Sequence, residues 1–189
     1  MISRWSIDST RNPQNREWQA TVTWDGITRM KEYAKQPFML KGIATAEDAK
    51  LAVEHGVDVI WVSNHGGRQL DHGIATMDML SEITEVVGDK AAIVLDGGIL
   101  RGSDVLKALA MGAKAVAIGK LQGWGLAADG TDGIVRVLEI LEEEMRVAMG
   151  LMGVTSIGQL TESHVCPAEA TTPAHEMSSW VNMPGERLL

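Results

Sequence analysis

Four short apolar runs recur along the chain, and each is followed by a break and then by a stretch with apolar residues at helical spacing. Nearly continuous apolar composition over such short runs is typical of strands that are buried on both faces of a parallel sheet. The alternation of these runs with amphipathic stretches predicts an α/β fold built from four consecutive βα units. The predicted strands are Phe38–Ile43, Val57–Ser63, Ala91–Asp96 and Lys114–Gly119.

Capping residues indicate where the intervening helices begin and end. Thr45 and Ser103 stand just before helical stretches, where a side-chain oxygen can accept a hydrogen bond from an otherwise unpaired backbone amide. Gly56 and Gly112 follow two of these stretches, as expected of residues that end a helix in a left-handed conformation. The longest predicted helix covers Asp132–Met149.

Each predicted strand ends in polar, charged or glycine residues. Lys41 lies near the end of the first strand, and polar or glycine segments begin at the ends of the other three: at Ser63, at Asp96–Gly98 and at Gly119–Lys120. In (β/α)₈ barrels the functional residues gather at these carboxyl ends, whereas a doubly wound sheet would show a G-x-G-x-x-G motif that this sequence lacks. A complete barrel needs eight units and about 250 residues. The 189 residues of this chain therefore predict a TIM-barrel fold with only about four βα units, a half barrel.

The chain divides into one folded segment and two flanking segments. Residues 1–22 are polar, show no sustained period and are predicted to be a linker or a loop remnant. Residues 23–162 form the predicted half barrel, and residues 163–189 are rich in Ser, Thr and Pro, which predicts a mobile tail.

Composition excludes several classes of function. The net charge of -8, from 17 basic and 25 acidic residues, argues against a nucleic acid partner. Apolar runs are too short to span a bilayer, and the start of the chain lacks the core of a signal peptide, so we expect a cytoplasmic protein without membrane association. A single cysteine, Cys166, and the irregular spacing of His55, His65 and His72 argue against a metal site.

The segment SNHGGRQLD, residues 63–71, carries the most informative chemistry. Gly66 and Gly67 allow a tight turn that would bring His65 and Arg68 to the mouth of a pocket. An imidazole can abstract the proton of a hydroxyl, and a guanidinium binds a carboxylate in bidentate geometry, so the pair suits a 2-hydroxy acid. The alternative is a structural role, in which His65 satisfies a backbone carbonyl and Arg68 pairs with Asp71 on the surface.

The other strand ends suggest an anionic ligand. Lys41 follows apolar residues, where an ammonium group needs a negative partner or must reach solvent. Asp96–Gly98 leads into a helix N-terminus, a common phosphate site, although the same residues could be a simple turn. Gly119 and Lys120 add a flexible backbone and a positive charge at the next strand end, and barrels often bind phosphate at two adjacent strand ends.

These motifs together resemble the FMN-dependent α-hydroxy acid dehydrogenase and oxidase family, which includes glycolate, lactate and mandelate oxidising enzymes. The resemblance rests on FMLKGI, SNHGGRQLD and DGGILRGSDVLKALAMGAKAVAIGK and covers roughly residues 23–160, the carboxyl-terminal half of such enzymes. It implies a TIM barrel that binds FMN and oxidises a small 2-hydroxy acid to the 2-oxo acid, with His65 as the base and Arg68 as the carboxylate ligand. It also implies a set of FMN contacts: Lys41 beside the flavin, Ser63, Asp96, Gly97, Gly98, Arg101, Gly119 and Lys120.

Two departures from the family pattern leave alternatives open. Leu100 stands where the family usually has an arginine, so phosphate binding would depend on Lys120, on backbone amides and on Arg101. The first four strands of the family's barrel are absent, and with them the aspartate that orients the histidine. A second chain could complete the barrel, two copies could close a symmetric one, or the chain could be an inactive half barrel that acts as a binding or regulatory remnant.

Overall fold

The computed structural model describes residues 22–68, 70 and 72–168, which fall into two compact units. The first unit contains the described residues up to Gly97 together with Met111–Ala117, and the second contains Gly98–Ala110 and the residues from Ile118 onward. The predicted linker, apart from Val22, and the predicted tail beyond residue 168 lie outside the described residues.

A four-stranded parallel sheet in sequential order forms the centre of the first unit. Its strands are β1 (Met39–Ile43), β2 (Val59–Val62), β3 (Ala92–Asp96) and β4 (Ala115–Ala117). All four predicted strands are confirmed, each one or more residues shorter than the apolar run that predicted it. The register places Lys41 beside Trp61, so that the carboxyl ends of neighbouring strands meet at one edge of the sheet.

Helices follow the strands as predicted, with one addition. The elements are α1 (Trp24–Ala34), α2 (Ala46–Glu54) and α3 (Thr76–Val87) in the first unit, and α4 (Gly102–Ala110) and α5 (Lys120–Met152) in the second. The sequence analysis did not predict α1, which begins where the Thr23 hydroxyl accepts a hydrogen bond from the Gly26 amide. Only one of its residues, Ile27, is buried, which explains the weak apolar pattern.

The prediction for the longest helix was too short. Helix α5 begins twelve residues before Asp132, and it contains a break at Asp129 and Gly130, where the backbone leaves helical geometry. The predicted start at Asp132 therefore corresponds to the part of α5 after this break. Gly130 has a φ of 54°, a conformation that glycine adopts at little cost.

Side chains from the sheet and from α2 and α3 form the core of the first unit. Ile60, Leu95, Leu80 and Ile83 are fully buried. Burial of each such side chain contributes roughly 1.5–3 kcal/mol. This core fixes the strands and hence the positions of the residues at their carboxyl ends.

The second unit depends on close contact between α4 and α5. Gly102 lies so near α5 that a Cβ atom on it would be 2.5 Å from the Met145 nitrogen and 2.6 Å from the Leu141 oxygen. Glycine is therefore required at this position for the observed spacing of the two helices. None of the helices in the described ranges is long and apolar enough to cross a membrane.

Candidate active site

Side chains from the carboxyl ends of three adjacent strands form one polar network. The Lys41 ammonium lies 2.9 Å from Asp96 Oδ2 and donates to Ser63 Oγ at 2.8 Å. Ser63 in turn donates to Asp96 Oδ1 at 2.6 Å and is only 2% exposed. The Lys41 ammonium also lies 5.2 Å from the centroid of the Trp61 ring, a favourable cation–π position. The sequence predicted all three polar residues for the site, and the parallel register brings them together.

His65 is held in an unusual backbone conformation next to this network. It begins a short 3₁₀ turn, His65–Gly67, in which His65, Gly66 and Gly67 have φ values of 56°, 64° and 72°. The His65 amide donates to Ser63 Oγ at 3.2 Å, which ties the turn to the polar network. Only the two glycines adopt this left-handed conformation without strain.

The imidazole of His65 is partly buried and suited to act as a base. Its Nε2 atom is buried and has no hydrogen-bond partner among the described residues. Burial lowers the pKa of His65 below its ordinary value, the nearby Lys41 ammonium lowers it further, and Asp96 acts in the opposite direction. A neutral imidazole at neutral pH can therefore accept a proton from a ligand that reaches Nε2.

Arg68 ends the turn and is exposed. Its backbone amide donates weakly to the His65 carbonyl at 3.4 Å. The structure thus places Arg68 at the end of the same turn that His65 begins. The alternative partner for its side chain, Asp71, lies outside the described residues.

Two residues that sequence analysis missed support the turn and the end of β3. Asn64 accepts from the Gly66 amide at 2.9 Å and donates to the Ile74 carbonyl at 3.1 Å. Thr76 is 3% exposed and donates to the Gly97 carbonyl at 3.2 Å. Gly97 has a φ of 96°, and a Cβ atom on it would lie 3.0 Å from Thr76 Oγ1. An asparagine before a glycine-rich turn is a recognisable signal, since its side chain often accepts from the amide two residues later.

The remaining predicted residues belong to the second unit. A Cβ atom built on Gly98 or on Gly119 would have no other atom within 4 Å in the described structure. Lys120 is exposed at the start of α5. The Arg101 guanidinium, in contrast, forms an ion pair with Glu144 at 2.7 Å. As a phosphate ligand, Arg101 would have to share its guanidinium with this carboxylate.

Glu144 links the loop before α4 to α5. Besides pairing with Arg101, it accepts from the Gly102 amide at 2.7 Å, at the N-terminus of α4. Burial raises the pKa of Glu144, but the hydrogen bonds from Arg101 and from the Gly102 amide outweigh it and hold the pKa below its ordinary value. The carboxylate is thus charged and structural. In the described part of the chain, no cluster of His, Cys, Asp and Glu side chains could hold a metal ion.

Comparison with known proteins identifies related enzymes. The family model for FMN-dependent dehydrogenases matches residues 3–167. The chain is 53% identical over 137 residues to 2-hydroxyacid oxidase 1 of Mus musculus, an alignment that covers 72% of this chain and 37% of the relative. It is 46% identical over 151 residues to the peroxisomal (S)-2-hydroxyacid oxidase GLO3 of Arabidopsis thaliana, covering 80% of this chain and 42% of the relative.

A solved structure gives the same result for the fold. Mandelate oxidase matches 75% of this chain with a TM-score of 0.71 and 46% identity, and the match covers 41% of that protein. The chain thus spans about two fifths of the length of its relatives. Together with the four sequential parallel strands, this likeness confirms the predicted half of a TIM barrel. The chain therefore belongs to the FMN-dependent dehydrogenase family.

Proposed function

We propose that this chain carries the histidine-bearing half of an enzyme that uses FMN to oxidise a small 2-hydroxy acid to the 2-oxo acid. The observation that carries the proposal is that His65 Nε2 is buried and has no hydrogen-bond partner among the described residues. His65 lies beside the network of Lys41, Ser63 and Asp96. Membership of the family supports this assignment. The printed names of relatives include an L-lactate oxidase from Nostoc and a 4-hydroxymandelate oxidase from Amycolatopsis orientalis, both of which act on 2-hydroxy acids.

His65 and Arg68 would divide the work on the substrate. A guanidinium fork suits the substrate carboxylate, and binding by Arg68 would direct the adjacent hydroxyl toward the imidazole. His65 would then take the hydroxyl proton at Nε2, acting as a neutral imidazole with its own proton on Nδ1, and the lowered pKa favours the neutral form. Neighbouring Asp96 would stabilise the resulting imidazolium charge, and Lys41 would oppose it.

The residues at the strand ends have the chemistry that FMN requires. When bound, FMN supplies the two-electron acceptor for the α-hydrogen of the substrate. Lys41 would offer a cation to the flavin ring, and Ser63, Asp96 and Gly97 would contact the cofactor at the ends of β2 and β3. For the phosphate we propose a group of residues in the second unit: Gly98, Gly119, Lys120 and, in competition with Glu144, Arg101.

Completion of the barrel would require a partner. In the described structure β1 and β4 each pair with one neighbouring strand, and Met39 of β1 is 44% exposed. Unpaired strand edges are prone to association. We propose that a second chain or a second copy of this chain supplies the missing half.

The cytoplasm remains our proposed location, and nucleic acid and membrane partners remain unexpected for a chain of net charge -8.

The first test is to titrate the purified chain with FMN while recording visible absorption and molar mass by light scattering. We expect a bound-flavin spectrum in a dimer or larger complex, and anaerobic bleaching by glycolate, L-lactate or (S)-mandelate. His65→Gln should keep FMN binding but abolish bleaching. The matched control His55→Gln alters a histidine in the same unit, one that bonds to Thr28 instead of the network, and should bleach as before. A chain that never binds FMN would instead favour the inactive remnant.

A further inference from the structure

The backbone around His65 needs external support. Three successive residues, His65, Gly66 and Gly67, are left-handed, and His65 carries a side chain that disfavours this conformation. Strain of this kind persists only where surrounding contacts determine the conformation. The contacts that hold the turn therefore decide where the imidazole points.

Asn64 supplies two of these contacts from one side chain. Its Oδ1 atom accepts from the Gly66 amide at 2.9 Å, within the turn. Its Nδ2 atom donates to the Ile74 carbonyl at 3.1 Å, ten residues along the chain and two residues before α3 begins. Asn64 thus fastens the start of the β2–α3 loop to its end, with His65 and Arg68 in between.

We infer that Asn64 is the positioning residue for His65, whose carboxamide keeps the imidazole turned inward with Nε2 buried. This inference deepens the proposed function, because it rests on His65 being the base of that reaction. Ser63 also holds the turn, because its hydroxyl accepts a hydrogen bond from the His65 amide at 3.2 Å. The Asn64 side chain bonds to the Gly66 amide and the Ile74 carbonyl, outside the network of Lys41, Ser63 and Asp96, and acts through the turn.

Substitutions at Asn64 separate its two hydrogen bonds. Asn64→Ala removes both, whereas Asn64→Ser keeps a short acceptor for the Gly66 amide and loses the reach to Ile74. Thr45→Ala is the matched control. It removes a single side-chain cap, the bond from the Asp48 amide to Thr45 Oγ1 at 3.1 Å, from α2 in the same unit.

The decisive measurement is the titration of each imidazole by NMR in the chain without added FMN, with His65→Gln to assign the His65 signal. In Asn64→Ala we expect the His65 midpoint to rise toward the ordinary value of about 6.5, because an imidazole released to solvent loses its burial. Asn64→Ser should give a smaller rise. The charged groups that act on His65, Lys41 on β1 and Asp96 on β3, are unchanged in every variant.

Thr45→Ala shows whether a general loss of stability alone changes the His65 titration. Thr45→Ala should lower the urea midpoint of unfolding without moving the His65 titration. If both Asn64 variants lower the urea midpoint but leave the His65 titration at its wild-type value, Asn64 has only a structural role and the inference is wrong. The NMR titration needs no flavin, so its outcome does not depend on whether the proposed function is correct. The proposed function has its own test: it is wrong if the flavin of His65→Gln is bleached as fast as that of wild type. In a flavin-loaded protein, Asn64→Ala should lower kcat/KM about 10- to 100-fold with FMN affinity retained.

Discussion

Replacement of Gly102 by alanine tests how closely α4 and α5 must approach. The added Cβ atom would lie 2.5 Å from the Met145 nitrogen, 2.6 Å from the Leu141 oxygen and 2.7 Å from Glu144 Cβ. Ordinary contacts of a Cβ atom begin near 3.4 Å, so the first turn of α4 must move about 1 Å away from α5. Two of the three atoms belong to the backbone of α5, and a change of side-chain rotamer cannot relieve those contacts.

The cost of Gly102→Ala follows from two terms. Overpacking of a close contact costs roughly 1–3 kcal/mol. The same movement stretches the bond from the Gly102 amide to the Glu144 carboxylate, now 2.7 Å long, and a hydrogen bond to a charged group contributes roughly 1.5–3 kcal/mol. The higher helix propensity of alanine offsets up to about 1 kcal/mol of this cost. We expect a net loss of about 1.5–6 kcal/mol in the free energy of unfolding.

Urea denaturation followed by far-UV circular dichroism would measure this loss, with Gly150→Ala as the control. Gly150 lies in α5, and the described structure has nothing within 4 Å of a Cβ atom placed on it. Gly150→Ala should therefore be neutral or should stabilise the chain by up to about 1 kcal/mol. A Gly102→Ala variant that loses less than about 1 kcal/mol would refute the reasoning about helix spacing, as would a control that is equally damaging.

Three further predictions concern the first unit. Since the folded pKa of His65 is lowered, the unfolded chain binds more protons, and the free energy of unfolding should fall as pH decreases from about 6.5 through the folded pKa. His65→Gln should remove that part of the pH dependence in urea titrations, and an unchanged profile would contradict it. Lys41→Met leaves the 16%-exposed Asp96 carboxylate without its ion pair and should cost about 1–3 kcal/mol. The double variant with Asp96→Asn should recover part of this loss, whereas strictly additive costs in the double-mutant cycle would show that the pair is not coupled. Thr45→Ala should cost about 0.5–2 kcal/mol through loss of the α2 cap, which a thermal melt can detect, and a melt that matches wild type would show the cap to be dispensable.

Sequence alone gave a reliable outline of the sheet because each strand is a nearly continuous apolar run, although only alternate residues of β2 and β3, and no residue of β4, are fully buried. A buried parallel strand leaves a nearly continuous apolar run, which is visible without knowledge of its neighbours. Helix α1 left no comparable signal, since only Ile27 is buried on it. The sequence analysis did not predict the turns of α5 before Asp132, which precede a break at Asp129 and Gly130 within the helix.

The candidate site residues were chosen from the sequence for a similar reason. Functional residues of this fold lie at strand ends, so their positions in the chain identified Lys41, Ser63, His65 and Asp96 as candidates. Which of them touch, however, depends on the register between strands. A shift of one residue between β1 and β2 would turn Lys41 away from Ser63.

Local residue types and their order thus determined which elements form and which side chains stand at their ends. Tertiary structure decided the partners, because hydrogen bonds and ion pairs act over about 3 Å between residues far apart in the chain. Arg101 is the plainest case: the family resemblance suggested a phosphate ligand, and in the structure its guanidinium forms an ion pair with Glu144, which lies on α5. The turn that carries His65 is likewise held by hydrogen bonds to Ser63 and Asn64, which no pattern of apolar and polar residues records.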